Sequence, residues 1–241
     1  MEAQLMGVGS VLLSYLLGSL PVGLLVVRWT RGVDVRGVGS GRVGTTNVVR
    51  AAGAWAGILT GALDLLKGLA AGWIAGWMVP GNQLVHALSV AAAVLGQIHS
   101  IFLPERTEAG KLRLRGGAGG MTSFGAVASL APLPALGIGG VALMVYFVVG
   151  YASLTTIAIA LLGFLFFAYQ AVAGAGPWEY VLFGALDLAL VLWALRPNIA
   201  RLKQGTERTV GLRAAREKKR NAQKGQQMNP AKVRPEKIRT T

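Results

Sequence analysis

Seven apolar stretches, each nearly free of charge, decide what this chain can fold into. They lie at about 4–27, 55–79, 85–103, 119–133, 136–151, 153–173 and 178–195. A segment that crosses the hydrocarbon core of a bilayer needs roughly 20 apolar residues, and it must be helical, because lipid offers an open backbone N–H or C=O no partner. The sequence therefore predicts an all-α fold, a polytopic membrane helical bundle of about seven transmembrane helices. The fourth and fifth stretches are short and separated only by Pro132-Leu133-Pro134. They read either as two helices meeting at a tight turn or as one irregular span, so six is the other count. Composition agrees, since 53% of the 241 residues are hydrophobic and only 14% charged, against roughly 25% charged in soluble domains.

Positive charge orients the bundle, because cytoplasmic loops collect Lys and Arg. Arg28, Arg31, Arg36, Arg42 and Arg50 follow the first stretch; Arg106, Lys111, Arg113 and Arg115 follow the third; from Gly116 to Leu195 there is no Lys or Arg. Putting those loops and the C-terminal region on the cytoplasmic side requires an N-terminus outside and an odd number of crossings, which favours seven. Met1-Glu2-Ala3-Gln4 carries no basic n-region and no small-residue cleavage pattern follows, so the first stretch is expected to be a retained span.

The net charge of +14 would suit a nucleic-acid binder, but it is unevenly placed. Residues 196–241 hold 14 of the 24 basic and 3 of the 10 acidic residues. Two units follow, a transmembrane domain over 1–204 and a basic tail over 205–241, whose few aliphatic residues cannot build a core and predict disorder. The tail is either a solvated extension or a weak contact for anionic lipid headgroups. No nucleic-acid partner is expected. Without Cys, and with two His outside any carboxylate cluster, neither a metal site nor a cofactor is expected.

Three polar stretches interrupt the apolar pattern. The first runs from Gly32 to Arg50. Its Gly39 to Gly44 segment matches G-x-G-x-x-G, but follows a membrane helix and not a strand, so dinucleotide binding is not implied. Gly39 and Gly41 free backbone N–H groups for an anion, Ser40, Thr45, Thr46 and Asn47 add hydrogen-bonding groups, and Arg50 adds a fixed charge. The competing reading is a plain polar loop. In the second, Arg115-Gly116-Gly117-Ala118-Gly119-Gly120-Met121-Thr122, a glycine run opens a helix. It offers either a phosphate-sized nest at the helix N-terminus or a flexible linker. The third, Arg196 to Glu207, places Pro197 in a first helical turn and Asn198, Arg201 and Leu202 on one face. Inside the membrane, Asp64 and Lys67 lie three apart and are expected to form a structural ion pair, Asp187 must face inward, and His99 is expected to be a satisfied packing residue. No G-x-S-x-G elbow, Walker loop or H-E-x-x-H motif occurs.

In order, these stretches resemble the bacterial acyl-phosphate:glycerol-3-phosphate acyltransferases, the PlsY family. The likeness runs through Gly18-Ser19-Leu20-Pro21, Asp34-Val35-Arg36, Gly39-Ser40-Gly41, Gly44-Thr45-Thr46-Asn47, Arg50, Asp64-Leu65-Leu66-Lys67-Gly68, Gly96, Phe102-Leu103, the glycine run with Thr122, and Asn198-Ile199 to Glu207. It covers nearly everything before about residue 210. The resemblance implies a multi-pass enzyme of the cell inner membrane that moves a fatty acyl group from acyl phosphate to the 1-hydroxyl of glycerol 3-phosphate, giving lysophosphatidic acid. It implies catalytic roles for Ser40, Arg50 and Asn198. Substrate contacts fall to Gly39, Gly41, Thr46, Asn47, Gly116, Gly117, Gly119, Thr122 and Glu207, with Ser40, Asn47 and Arg50 on acyl phosphate and the glycine run on glycerol phosphate. The chain departs from the family pattern at Arg42 and Thr45, usually Asn and Ala; at Gln97 and Leu195, usually His; and at Ala118, usually Lys or Arg. Glu108, Ala109 and Gly110 lengthen the second loop. A catalytically weak or substrate-altered homologue is the alternative within the family, and a small membrane transporter the alternative outside it. The latter predicts internal repeats and midplane ions, and no repeat is found.

Overall fold

Pro21 splits the first apolar stretch in two. Lacking an N–H, and holding Leu20 in extended backbone (φ −55°, ψ 121°), it ends α1 (Glu2–Ser19) and lets α2 (Val22–Arg31) restart at a new angle. Carbonyls released at the break are taken up by other segments: Lys67 Nζ donates to Leu20 O and Ser100 Oγ to Ser19 O.

The computed structural model describes residues 1–106 and 110–228. After α2 come a 3-10 turn (Val35–Gly37), α3 (Thr45–Ala52), α4 (Ala54–Met78), α5 (Gln83–Ile98) and a hairpin of β1 (Pro104–Arg106) with β2 (Leu112–Leu114). The hairpin is antiparallel, with Glu105 opposite Arg113. The inserted Glu108 and Ala109 lie outside the described residues. Then follow α6 (Gly120–Leu130), α7 (Pro132–Met144) running into a π turn (Val145–Val149), α8 (Ala152–Val172), α9 (Trp178–Lys203) and α10 (Gly211–Met228).

Among the described residues five segments are long and apolar enough to cross a membrane: Glu2–Arg31, α4, Pro132–Val149, α8 and α9; α5 and α6 are shorter apolar helices. The Pro132 region resolves into two helices, α6 ending at Ala131 and Pro132 sitting in the first turn of α7. With 11 residues, α6 rises only roughly 16 Å, about half of the hydrocarbon thickness.

Side-by-side contacts fix helix directions. α1 and α5 run parallel, pairing Gly7 with Val85 and Gly18 with Ala93, and joining Ser10 Oγ to Ser89 Oγ at 2.9 Å. α4 and α6 are also parallel. A Cβ on Gly68 would stand 2.2 Å from Thr122 O, and one on Gly125 2.1 Å from Leu65 O, so each helix presses a glycine onto the other's backbone, the small-residue packing of membrane bundles. α8 and α9 are antiparallel, Phe164 meeting Gly184 and Phe167 meeting Tyr180. The result is one end of the bundle where α1, α5, α7 and α9 finish and α4, α6 and α8 begin. All six tryptophans are exposed at two levels: Trp29, Trp55 and Trp193 near that end, Trp73, Trp77 and Trp178 toward the other, the disposition of interfacial aromatic belts.

The expected Asp64–Lys67 pair is present, Nζ to Oδ1 at 2.9 Å with both side chains under 5% exposed. Gln97 completes it, accepting from Lys67 at 2.7 Å and donating to Asp64 Oδ2 at 2.9 Å. Asp187 faces inward as expected and accepts from Ser123 Oγ at 2.7 Å.

Three expectations need correction. Pro197 lies inside the continuous α9 and not in a first turn. Its missing N–H frees Trp193 O, four residues back, which accepts instead from Arg196 Nε at 3.3 Å. His99 is not satisfied: its buried Nδ1 has no hydrogen-bond partner among the described residues. Disorder beginning at residue 205 does not describe 211–228, which form α10. That helix holds because Val210 N donates to Gly150 O at 2.9 Å, the Arg213 guanidinium stacks 4.6 Å over the Tyr151 ring, and Glu217 accepts from Thr209 and Arg213. Residues 229–241 of the tail lie outside the described residues.

Candidate functional site

A cleft opens at the end where these helix termini gather, and Asn47 builds its first wall. The Asn47 carboxamide sits inside the loop between the 3-10 turn and α3. Its Oδ1 accepts from Ser40 N at 3.0 Å, and its Nδ2 donates to Val38 O and Arg42 O at 2.9 Å, with Val35 O at 3.2 Å. Every polar atom of this buried side chain is spent on the loop, so Asn47 shapes that wall although its side-chain atoms also border the cleft. Asp34 fixes the loop's start. Its carboxylate caps the 3-10 turn through Arg36 N and pairs with the Arg36 guanidinium at 2.7 Å; that hydrogen bonding holds its pKa down at about 2. Gly39 adopts φ +56°, and a Cβ there would stand 2.2 Å from Asn47 Oδ1. Only glycine allows both. Gly41, at φ +68°, lies beside the Arg115 guanidinium. The side chains that this loop turns to the cleft are Ser40, Arg42, Thr45, Thr46 and Arg50.

The glycine run divides its labour. Gly116 and Gly117 pack on the end of α5: Gly117 N donates to Gln97 O at 2.8 Å, and a Cβ on Gly116 would meet the same carbonyl at 2.3 Å. Thr122 is wholly buried and donates to Asp64 O at 3.0 Å. Neither glycine nor Thr122 faces the cleft. Ala118, Gly119 and Gly120 do, with Gly119 at φ +86° starting α6 and no side chain capping the free N–H groups of that helix.

The third wall comes from α9 and the segment after it. Glu207, its side chain 6% exposed, accepts from Asn198 Nδ2 at 2.7 Å and from Arg201 Nε at 2.9 Å. A carboxylate only accepts, so the amide nitrogen of Asn198 must face it. That turns Asn198 Oδ1, buried and without a partner, the other way. Arg208, Tyr146 and the hydroxyls of Ser153, Thr155 and Thr156 at the start of α8 complete the lining.

Charge in this cleft is one-sided. Four arginines line it, Arg42, Arg50, Arg201 and Arg208, against two carboxylates, Asp64 and Glu207. Asp64 is held by Lys67 and Gln97, and Glu207 by Asn198 and Arg201. Burial lowers the pKa of Arg42, helped by Arg201 and Arg113. The half-sunk Arg50 guanidinium is lowered by shielding from water and then by Arg208. Cations crowded together in this way are stabilised by bound anions.

The chain matches the family described as glycerol-3-phosphate acyltransferase over residues 8–205. It belongs to that family. A glycerol-3-phosphate acyltransferase of Myxococcus xanthus is 40% identical over 198 residues, covering 82% of this chain and 96% of the relative. One from Rubrobacter xylanophilus is 41% identical over 204 residues, covering 85% and 95%. Crystallised PlsY (YgiH), an integral membrane glycerol 3-phosphate acyltransferase in its glycerol 3-phosphate form, superposes with a TM-score of 0.73 at 34% identity, covering 85% of this chain and 96% of that one. The family and the apolar helices make this chain a multi-pass membrane protein.

Of the residues the motifs put forward, the fold brings Ser40, Thr46, Asn47, Arg50, Gly119, Asn198 and Glu207 to one cleft. Gly39 and Gly41 shape its loop, while Gly116, Gly117 and Thr122 pack helices behind it. Arg208, Tyr146 and the α8 hydroxyls were not anticipated. The Ser153-Leu154-Thr155-Thr156 cluster, polar at the head of an apolar stretch, was the available signal for the latter.

Proposed function

We propose that this protein transfers a fatty acyl group from acyl phosphate to the 1-hydroxyl of glycerol 3-phosphate, releasing inorganic phosphate and lysophosphatidic acid at the cytoplasmic face of the inner membrane. The observation that carries the reading is the cleft with four arginines and no unengaged carboxylate, in a member of this family. Two phosphorylated substrates fit such a field, and a cationic metabolite does not.

The chemistry asks little more of the protein than placement. Acyl phosphate is a mixed anhydride: the hydroxyl oxygen bonds to the acyl carbon, the bond from that carbon to the phosphate oxygen breaks, and the hydroxyl proton ends on phosphate. Among the described residues no His, Cys or Lys lines the cleft, and both carboxylates are engaged, so a substrate phosphate oxygen, with a second pKa near 6, takes the proton. The free Asn198 Oδ1 accepts the hydrogen bond of the attacking hydroxyl and aims it; Glu207 holds that amide in place. Ser40 and Arg50 hold the acyl phosphate, with Gly39, Gly41, Thr46 and Asn47 presenting the loop. Gly119 and the start of α6 receive glycerol phosphate, with Gly116 and Gly117 fixing the run against α5. Positioning two reactants and stabilising developing charge are the terms by which such a site accelerates transfer.

Purified full-length protein should release phosphate from acyl phosphate in proportion to added glycerol 3-phosphate, with lysophosphatidic acid accumulating in equal amount. Release that ignores glycerol 3-phosphate would defeat the reading.

The membrane orientation belongs to the same proposal. The basic loops stand at the cleft end, so seven crossings put the N-terminus outside and the cleft in the cytoplasm. In this Cys-free chain, a cysteine at exposed Gln204 should react with impermeant maleimide only from the cytoplasmic side and one at exposed Ala3 only from outside. Same-side labelling of the two rejects seven crossings.

A further inference from the structure

Arg42 is the buried cation of the cleft for which the reading so far has no use. Its position is fixed from α9, where the carbonyl of Ala194 accepts a hydrogen bond from Arg42 Nη2. That contact pins one edge of the guanidinium against a neutral acceptor. The other edge is unspent, since Nη1 is buried with no hydrogen-bond partner. A buried charged donor left unpaired costs more than almost any other side-chain defect, and here Arg201, Arg113 and Arg115 add repulsion from nearby. Glu207 is the one carboxylate acting on it, and both Glu207 oxygens already have donors. A helix carbonyl at the back, an open fork in front and surrounding positive charge make a seat for an anion.

We propose that Arg42 binds the phosphate of the glycerol 3-phosphate acceptor. The inference rests on the acyltransferase reading and assigns one of its two phosphates. Two placements decide which one. Arg42 lies two residues before Gly44, on which a Cβ would stand 3.9 Å from Ala118 N and from Gly117 Cα, so it stands where the first loop passes the glycine run and α6 begins. Arg50 lies at the opposite end of the same loop, on α3 beside Gly39, with Arg208 and Tyr146 as its charged and polar neighbours. Two dianions cannot share one guanidinium without strong mutual repulsion, and two separated arginines give each its own fork. Arg42, the more buried, is suited to the water-soluble substrate, whose whole headgroup must enter and be fixed before its hydroxyl meets Asn198.

The test uses full-length protein in detergent. Glycerol 3-phosphate is titrated calorimetrically without acyl donor, then both substrates are varied in steady state. Arg42→Met should weaken glycerol 3-phosphate binding and raise its KM by about ten- to a hundredfold, the loss of one charged hydrogen-bonded contact, with the KM for acyl phosphate changed less than about twofold. Arg42→Gln keeps an N–H for Ala194 O, and so the fold contact, but not the charge; it should show the same selective loss and serves where the Met variant does not fold. Unchanged glycerol 3-phosphate affinity in Arg42→Gln overturns the assignment, as does an effect confined to acyl phosphate or shared equally by both substrates. A wild type that binds glycerol 3-phosphate but turns over no acyl phosphate would sink the acyltransferase reading while leaving this one standing. A wild type that binds no glycerol 3-phosphate sinks the Arg42 assignment itself.

Discussion

Lys67→Met is expected to destabilise the protein by about 3–5 kcal/mol, the cost of removing one partner of a buried ion pair. Asp64 would be left 2% exposed with only the Gln97 amide as donor, and the backbone opened by Pro21 would lose its charged cap at Leu20 O. Because the pair joins α4 to α5 and to the α1–α2 break, the damage should be global. Detergent-solubilised Lys67→Met should melt well below wild type or elute as aggregate on size exclusion. The double variant Asp64→Leu, Lys67→Met removes both charges and should recover part of the loss, as apolar replacements of buried pairs do. Wild-type melting of Lys67→Met would show that the carbonyls at the break need no cation.

Arg50→Ala should leave the fold intact and remove most activity. Within the described residues no hydrogen bond engages its guanidinium, so no internal contact is lost. Deleting a partly desolvated phosphate contact costs on the order of 2–4 kcal/mol of transition-state stabilisation, or roughly thirty- to a thousandfold in kcat/KM. Glycerol 3-phosphate-dependent turnover by the two proteins, with melting temperatures compared, checks both halves. Activity equal to wild type would remove Arg50 from the acyl-phosphate site.

What was legible in the sequence was whatever a period or a charge count could carry. Apolar runs near 20 residues gave the helical membrane bundle, and the ordered motifs gave the family. Asp64 and Lys67, three apart on one helix, announced their pair. Gln97 could not be announced: it lies on α5, 30 residues from Lys67 and 33 from Asp64, and only the antiparallel packing of α4 on α5 brings it there. Motif membership also failed to separate residues that face the cleft from those that build its wall. Gly116 and Gly119 are both glycines of one run, yet the first exists to let α5 approach and the second to start α6. Asn47 looked like an anion ligand because amides often are; four backbone groups of its own loop claim it first. The tail misled because its composition lacks a core of its own, while the surface it docks on, Gly150 and Tyr151, is supplied by α8 and the turn before it.

The two tryptophan levels carry a kinetic consequence. Trp29, Trp55 and Trp193 stand at the same end of the bundle as the cleft, which sets the cleft at the depth where hydrocarbon gives way to headgroups. On the proposed reading one substrate arrives through the plane of the bilayer and the other from water. The first is then present to the protein as a mole fraction among lipids, not as moles per litre. Adding inert phospholipid or detergent at fixed total acyl donor should lower the rate by dilution within the surface, while adding buffer at constant glycerol 3-phosphate concentration should not.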